Sequence, residues 1–267
     1  MKQKPSRPQK PSRPSDDEVK VCGVNACRAL FKTRPHDVIR VYLTQERIKG
    51  FGDLLKHCAE NKKAYKVIEV GELEKVAGGM HHEGICVLAR QKPSPAMGQM
   101  LSRVGPGPAS LLLLEDVENP HNLGAILRVC AHFGTAAVLS IGGTPARLST
   151  AAYRTSEGGA EHVDLVDVAD VRAGMEALRR AGFKVFATSQ FGKVNLYQSE
   201  LPPRSAFLMG SESYGLSREL MALSDGVVAI PGSGLVESLN VACASSVLLA
   251  EHWRQHQAAS ASRPLRR

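Results

Sequence analysis

Four leucines in a row, Leu111 to Leu114, open the stretch SLLLLEDV. Successive residues of a strand point to opposite faces of its sheet, so a run with no polar position describes a strand buried on both sides. Parallel sheets covered by helices contain such strands. Four further stretches, VLSIGG, KVFATS, AFLMGSE and GVVAIPG, repeat the pattern with helical segments between them. Strand and helix in alternation argue for an open α/β domain with ligand sites at the carboxyl ends of its strands. In ATSQ, MGSESYGL and IPGSGLVES, Gly, Ser or Pro stands where a strand ends, so three loops are expected to converge on one edge.

A chain of 267 residues has room for a second unit ahead of that sheet. From about Val21 to Leu88, VCGVNACRALF reads as a short helix, VIRVYLT as a strand and FGDLLKHCAENKK as a helix. YKVIEV and GICVLAR then read as strands. Residues 21–90 are therefore expected to form a small α/β domain. Pro, Gly and Ser cluster in QKPSPAMGQMLSRVGPGPA, which predicts a linker over 91–109, a second domain over 110–255 and a flexible tail over 256–267. The hexapeptide QKPSRP occurs twice, at 3–8 and 9–14. With prolines and basic residues but no aromatic side chain, residues 1–20 cannot offset the entropy of ordering and read as a disordered basic tail.

Composition narrows the function. No apolar run approaches the ~18 residues of a membrane helix, and the basic start has no apolar stretch behind it, so a soluble, cytoplasmic protein without a secretory signal is expected. The six cysteines include no C-x-x-C pair and the nine histidines no H-E-x-x-H, so reduced, mostly buried thiols and no metal site are expected. Charge is uneven. Residues 1–105 carry 20 Lys and Arg against 11 Asp and Glu, whereas the rest carry 14 against 15. That asymmetry suggests one part that holds a polyanion, with Arg28, Lys32, Arg34, Arg40 and Lys56 as its folded cations, and another part that does something else.

Three segments carry more specific information: LEDVENPHNLGAILRVCAHFG (114–134), FLMGSESYGLS (207–217) and IPGSGLVESLNVACASSVLLAE (230–251). In the first, Asn122 follows a proline turn and can cap a helix running to about Phe133. Leu123, Ile126, Leu127, Cys130 and Ala131 fall on one face of that helix, with Arg128 opposite. In the second, Gly210 ends a strand where a backbone without a Cβ can approach a ligand, and Glu212 follows in G-x-E-x-x-G-L. In the third, a helix is expected to open at Ser238. From Leu239 to Leu249 it is apolar or small on nearly every face, which predicts burial on all sides.

In order and spacing these segments resemble the SpoU (TrmH-like) family of RNA ribose 2′-O-methyltransferases, within the knotted SPOUT class. GVNACRALF and HHEGICVLA in the front part resemble that family's ribosomal-protein-like substrate domain. The resemblance implies an α/β methyltransferase domain with a parallel sheet and a deep trefoil knot, preceded by a small α/β RNA-binding domain. It implies S-adenosyl-L-methionine as cofactor, RNA (rRNA or tRNA, with rRNA favoured) as partner and a homodimer. It places Asn122 and Arg128 at the family's catalytic pair, Ser238 and Asn240 near the reacting centre, and Glu212 as an acid that orders the loops. Gly210, Ile230 and Leu239 would form the cofactor cleft with Thr188 as a further wall. Gly232 stands where the family often has Met, which loosens one wall. Two other readings stay open: a catalytically silent RNA-binding protein that kept the fold, and a dinucleotide-dependent oxidoreductase, for which the G-x-G-x-x-G after the first strand is missing.

Overall fold

The computed structural model describes residues 17–142, 147–211 and 214–256. The expected basic tail up to residue 16 and the tail from 257 onward lie outside the described residues. The chain divides into two compact units, Met1–Gln91 and Lys92–Arg267.

The first unit contains β1 (Glu18–Cys22), α1 (Val24–Thr33), β2 (Val38–Leu43), α2 (Gly52–Glu60), β3 (Ala64–Val67), α3 (Val70–Ala77) and β4 (Ile85–Arg90). Its sheet has the order β1-β4-β2-β3, antiparallel except for the β2–β3 pair. VCGVNACRALF, expected as one helix, is split. Val19 and Val21 alternate with Lys20 as a strand, and Gly23, at φ 100°, turns the chain into α1. The strand expected over YKVIEV also ends early, at Val67, and α3 starts at Val70 and closes on Gly78 at φ 79°. β3 is an edge strand, exposed at all four positions. On one side of the sheet Cys22 and Cys86 pack with Ile68, Leu73 and Val76. Arg34, expected as a surface cation, is buried: its guanidinium donates to the Arg90 carbonyl at 2.6 Å and pairs with Asp37 at 3.2 Å.

The second unit runs through α4 (Met97–Arg103), β5 (Ala109–Glu115), α5 (Pro120–Phe133), β6 (Ala137–Ile141), α6 (Thr150–Thr155), α7 (Gly159–His162) and β7 (Asp164–Val168). It continues with α8 (Val171–Arg180), β8 (Lys184–Thr188), β9 (Val194–Asn195), β10 (Arg204–Met209), α9 (Arg218–Leu223), β11 (Gly226–Ala229) and α10 (Val241–His256). Every strand pair in its seven-stranded sheet is parallel, in the order β7-β6-β5-β10-β8-β11-β9. Leu111 to Leu114 are each no more than 3% exposed, as a central strand covered on both faces requires. Strand β7 was not anticipated.

The stretch expected to be a linker is ordered and belongs to the second unit. Lys92 donates to the carbonyls of Ala160 and Val163, and Ser94 to that of Leu165. Met100 lies in the main core, and Arg204 stacks on Phe183 while donating to Gly105 and Ala181. Turn-forming residues here bend a packed chain rather than loosen it.

Two glycines let α5 lie against its neighbours. A Cβ on Gly124 would sit 2.7 Å from the Ala152 carbonyl oxygen, and one on Gly159 would sit 2.9 Å from the Arg128 Cα. Helix α10 begins at Val241 rather than Ser238. It buries Val241, Ala242, Ser245, Leu248, Leu249, Glu251 and His252 but leaves Cys243 exposed, so in the single chain it is not covered on all sides. The other five cysteines are buried and all six are free thiols. Among the described residues no helix is long and apolar enough to cross a membrane.

Burial of His252, reinforced by His256 alongside, lowers its pKa from 6.5 to about 4, although its ring meets the Pro203 carbonyl. Between those two values the unfolded chain binds a proton that the folded chain refuses. Stability is therefore full above pH 6.5 and falls as pH drops toward 4. In urea titrations at pH 7 and pH 5, wild type should lose ~1–2 kcal/mol more than His252→Gln, which cannot titrate. Equal losses would show that this histidine does not carry the effect.

Candidate active site

The carboxyl ends of β5, β10, β8 and β11 are neighbours along one edge. Met209 pairs with Leu114, Leu208 with Ala187, and Val228 with Thr188. With strands ~4.8 Å apart, that register sets Gly210, Thr188 and Ile230 on adjoining strand ends. The hydroxyl of Thr188 donates to the Leu208 carbonyl at 2.8 Å, so the side chain ties β8 to β10 just below Gly210.

Helices α5 and α10 start at the same edge, because each follows a strand end or its loop. The N-cap of α5 is Asn119, whose side chain accepts from the His121 N–H at 2.9 Å, with Pro120 in the first turn. This corrects the expectation that Asn122 caps the helix. Asn122 is instead inside the first turn, where its Oδ1 accepts from Nδ2 of Asn240 at 3.1 Å. Asn240 in turn caps α10, its Oδ1 accepting from the Ala242 N–H at 2.9 Å. One side chain thus ties the first turns of two helices together, joining the first sequence segment to the third.

Ser238 and Leu239 lie in the exposed, irregular stretch 231–240 just before that cap, with Leu235 and Val236 also exposed. Gln190 reaches this loop from the end of β8 through Glu237, at 3.3 Å. Arg128 is exposed six residues beyond Asn122, ~9 Å further along α5. The structure therefore brings Asn122, Asn240, Gly210, Thr188 and Ile230 to one edge and sets Arg128 apart along the helix. Glu212 lies outside the described residues. Among the described residues no group of His, Cys, Asp or Glu is placed to hold a metal ion.

Sequence reasoning missed the reason for Gly210. A Cβ there would sit 2.1 Å from the carbonyl carbon of Gly215 and 2.4 Å from the Leu216 nitrogen. The loop folds back on its own strand end, held by the Gly215 N–H donating to Ser211 at 2.9 Å. The missing side chain makes room first for the chain itself. Glu115 is a second such residue: its carboxylate accepts from the Ser217 N–H at 2.7 Å and holds that residue to the end of β5. The carboxylate at the end of the leucine run was the available signal.

The model of the SpoU rRNA Methylase family matches residues 109–250, and that for RNA 2′-O ribose methyltransferase substrate binding matches 20–95. The chain belongs to the SpoU rRNA methylase family. An uncharacterized tRNA/rRNA methyltransferase, YfiF, from Escherichia coli is 38% identical over 91% of this chain and 70% of its own length. The 23S rRNA (guanosine-2′-O-)-methyltransferase RlmB of Pseudomonas syringae is 33% identical over 90% of this chain and 96% of its own. An AdoMet-bound rRNA methyltransferase from Sinorhizobium meliloti has the same fold, with a TM-score of 0.74, 21% identity, and coverage of 89% of this chain and 87% of its own.

Gly210→Ala should push Gly215 and Leu216 away from the strand end at a cost of ~1–3 kcal/mol, the range for overpacking. Gly232→Ala, where a Cβ meets nothing within 4 Å, should change stability by less than ~0.5 kcal/mol. Chemical denaturation of both variants checks this contrast, and equal effects would refute the close approach.

Proposed function

We propose that the protein transfers the methyl group of S-adenosyl-L-methionine to a ribose 2′-hydroxyl of RNA, with ribosomal RNA as substrate. The observation that carries this reading is the Asn240–Asn122 hydrogen bond, which ties two of the family's sequence segments together at the edge where Gly210, Thr188 and Ile230 end their strands. The relatives named as 23S rRNA methyltransferases match along nearly their whole length and favour an enzyme over a silent RNA-binding protein.

The residues present suit the cofactor. Half-buried Ile230 and exposed Leu235, Val236 and Leu239 offer apolar surface for an adenine ring, and the irregular loops offer backbone polar groups for the ribose and the amino acid part. When bound, S-adenosyl-L-methionine supplies a methyl group already activated by its positively charged sulfur. Asn240 and Asn122 hold the two helix starts in place beside it. The difficult part is the 2′-hydroxyl, a weak acid whose oxygen gains negative charge as it attacks. Arg128 makes no side-chain hydrogen bond or ion pair to another described residue, so its guanidinium is available to hold an RNA phosphate and stabilise that charge. A guanidinium is a poor base, so the proton leaves to another group or to water.

Two structural features belong to the same reading. The polypeptide is knotted where β10 and β11 enter the sheet between earlier strands and α10 follows. The protein also works as a homodimer, in which the distance of Arg128 from Asn122 along α5 is met by RNA touching residues of both chains.

Calorimetry tests the cofactor: S-adenosylhomocysteine should bind and NAD should not, and the reverse would overturn the reading. Arg128→Ala should leave that affinity within about twofold and lower methyl transfer by ~10²–10³, as loss of transition-state charge stabilisation does. Arg128→Lys should recover little, since an ammonium lacks the planar fork. A lysine variant turning over at near wild-type rate would remove the bidentate role. Mass spectrometry of rRNA and tRNA from a deletion strain would identify the missing ribose methyl, and a loss confined to tRNA would overturn rRNA as substrate.

A further inference from the structure

The first unit's sheet is covered unequally. On one face, Cys22, Cys86 and Tyr42 lie side by side in register and are roofed by Leu73 and Val76 of α3. Two residues back along each strand, on the same face, the next row reads Lys20, Leu88, Arg40 and Ala64. The row beyond carries Glu18 opposite Arg90. Helix α3 does not reach these rows: Arg40, Ala64 and Arg90 are exposed, and Leu88, in a central strand, stays half-open while Val87 and Ala89 beside it are fully buried.

Charge on this uncovered half is one-sided. Lys20 and Arg40 flank Leu88 from the two neighbouring strands, ~10 Å apart, and Arg90 stands one row away, with Glu18 as the acid on the same rows. The Arg40 guanidinium is oriented by the Tyr42 hydroxyl at 3.3 Å. Other cations of the unit are already engaged. Arg34 is buried against Asp37, Lys63 donates to the carbonyls of His36 and Val38, and Arg47 donates to that of Glu83. Lys56 and Lys66 face Glu60 and Glu72, and Arg28 lies over the Phe51 ring. Exposed Lys32, Lys49, Lys62 and Lys75 lie outside this uncovered half, in or beside other segments of the chain.

We propose that the half of the front sheet left open by α3, centred on Lys20, Leu88 and Arg40, is the surface on which the RNA backbone docks. This rests on the reading of the protein as an RNA methyltransferase only for the identity of the polyanion. Arg40 supplies a planar donor pair that matches phosphate, Lys20 supplies a point charge, and Leu88 supplies an apolar floor for a sugar or base between them.

The test uses the full-length protein and two labelled probes, a 20-nucleotide oligouridylate and an RNA stem-loop of equal length, with binding followed by anisotropy from 50 to 200 mM salt. Lys20→Gln/Arg40→Gln removes both charges but keeps unbranched polar side chains, and should weaken binding roughly tenfold at 50 mM salt. It should also flatten the log–log salt slope by about 1.4 on the single strand, the signature of two lost phosphate contacts. Lys32→Gln/Lys56→Gln removes the same charge elsewhere and should change affinity less than about twofold. Equal losses in the two variants, no loss in the first, or a wild-type protein that binds neither probe would overturn the proposal. S-adenosylhomocysteine binding is measured on the same preparations. Its absence with the salt-slope difference intact would remove the methyltransferase reading and leave the docking surface standing.

Discussion

Burial of β5 on both faces is the constraint from which the larger unit follows. Leu111 and Leu113 enter the core that holds Met100, Phe183 and Leu208, while Leu112 and Leu114 point the other way. A strand apolar on both faces needs cover above and below, so the chain must cross from strand to strand through helices, and the sheet becomes parallel. Parallel strands bring their carboxyl ends to one edge, and that edge is where Gly210, Thr188, Ile230 and the starts of α5 and α10 are found.

How much of this could be read from the sequence depended on how local the cause was. The strands rich in apolar side chains stood out because burial writes itself into composition. Strand β7, DLVDV, did not, because its alternating acids suit a sheet edge as well as a loop. Asn119-Pro120 is a plain helix start, although Asn122, three residues on, is by residue type an equally good cap. The ordered stretch 92–104 was hidden by its prolines and glycines. Its contacts, Lys92 on Val163 and Met100 in the core, join residues far apart in sequence. Gly210 at a strand end suggests room for a ligand, whereas its nearest constraint is the backbone of Gly215, which only the fold brings close.

The cations show the same limit. Arg34 and Arg40 are six residues apart and alike in sequence, yet one anchors the end of β4 from inside and the other stands in the open. Net charge reported that the front part is basic. Only the strand register, with its half-length roof of α3, says which of those charges share a surface.

That register leaves β3 with one free edge, and its four residues, Tyr65 and Val67 among them, are open to solvent. Such an edge is a template for another strand, and lysines beside it are a common guard against self-pairing. Exposed Lys62 stands there, just ahead of the strand, whereas Lys66 is paired with Glu72. The protection Lys62 gives is electrostatic repulsion between copies and so weakens as salt shortens the Debye length to ~3 Å at 1 M. The solution condition that strips nucleic acid from a basic protein during purification is thus also the one in which this molecule is least protected from itself.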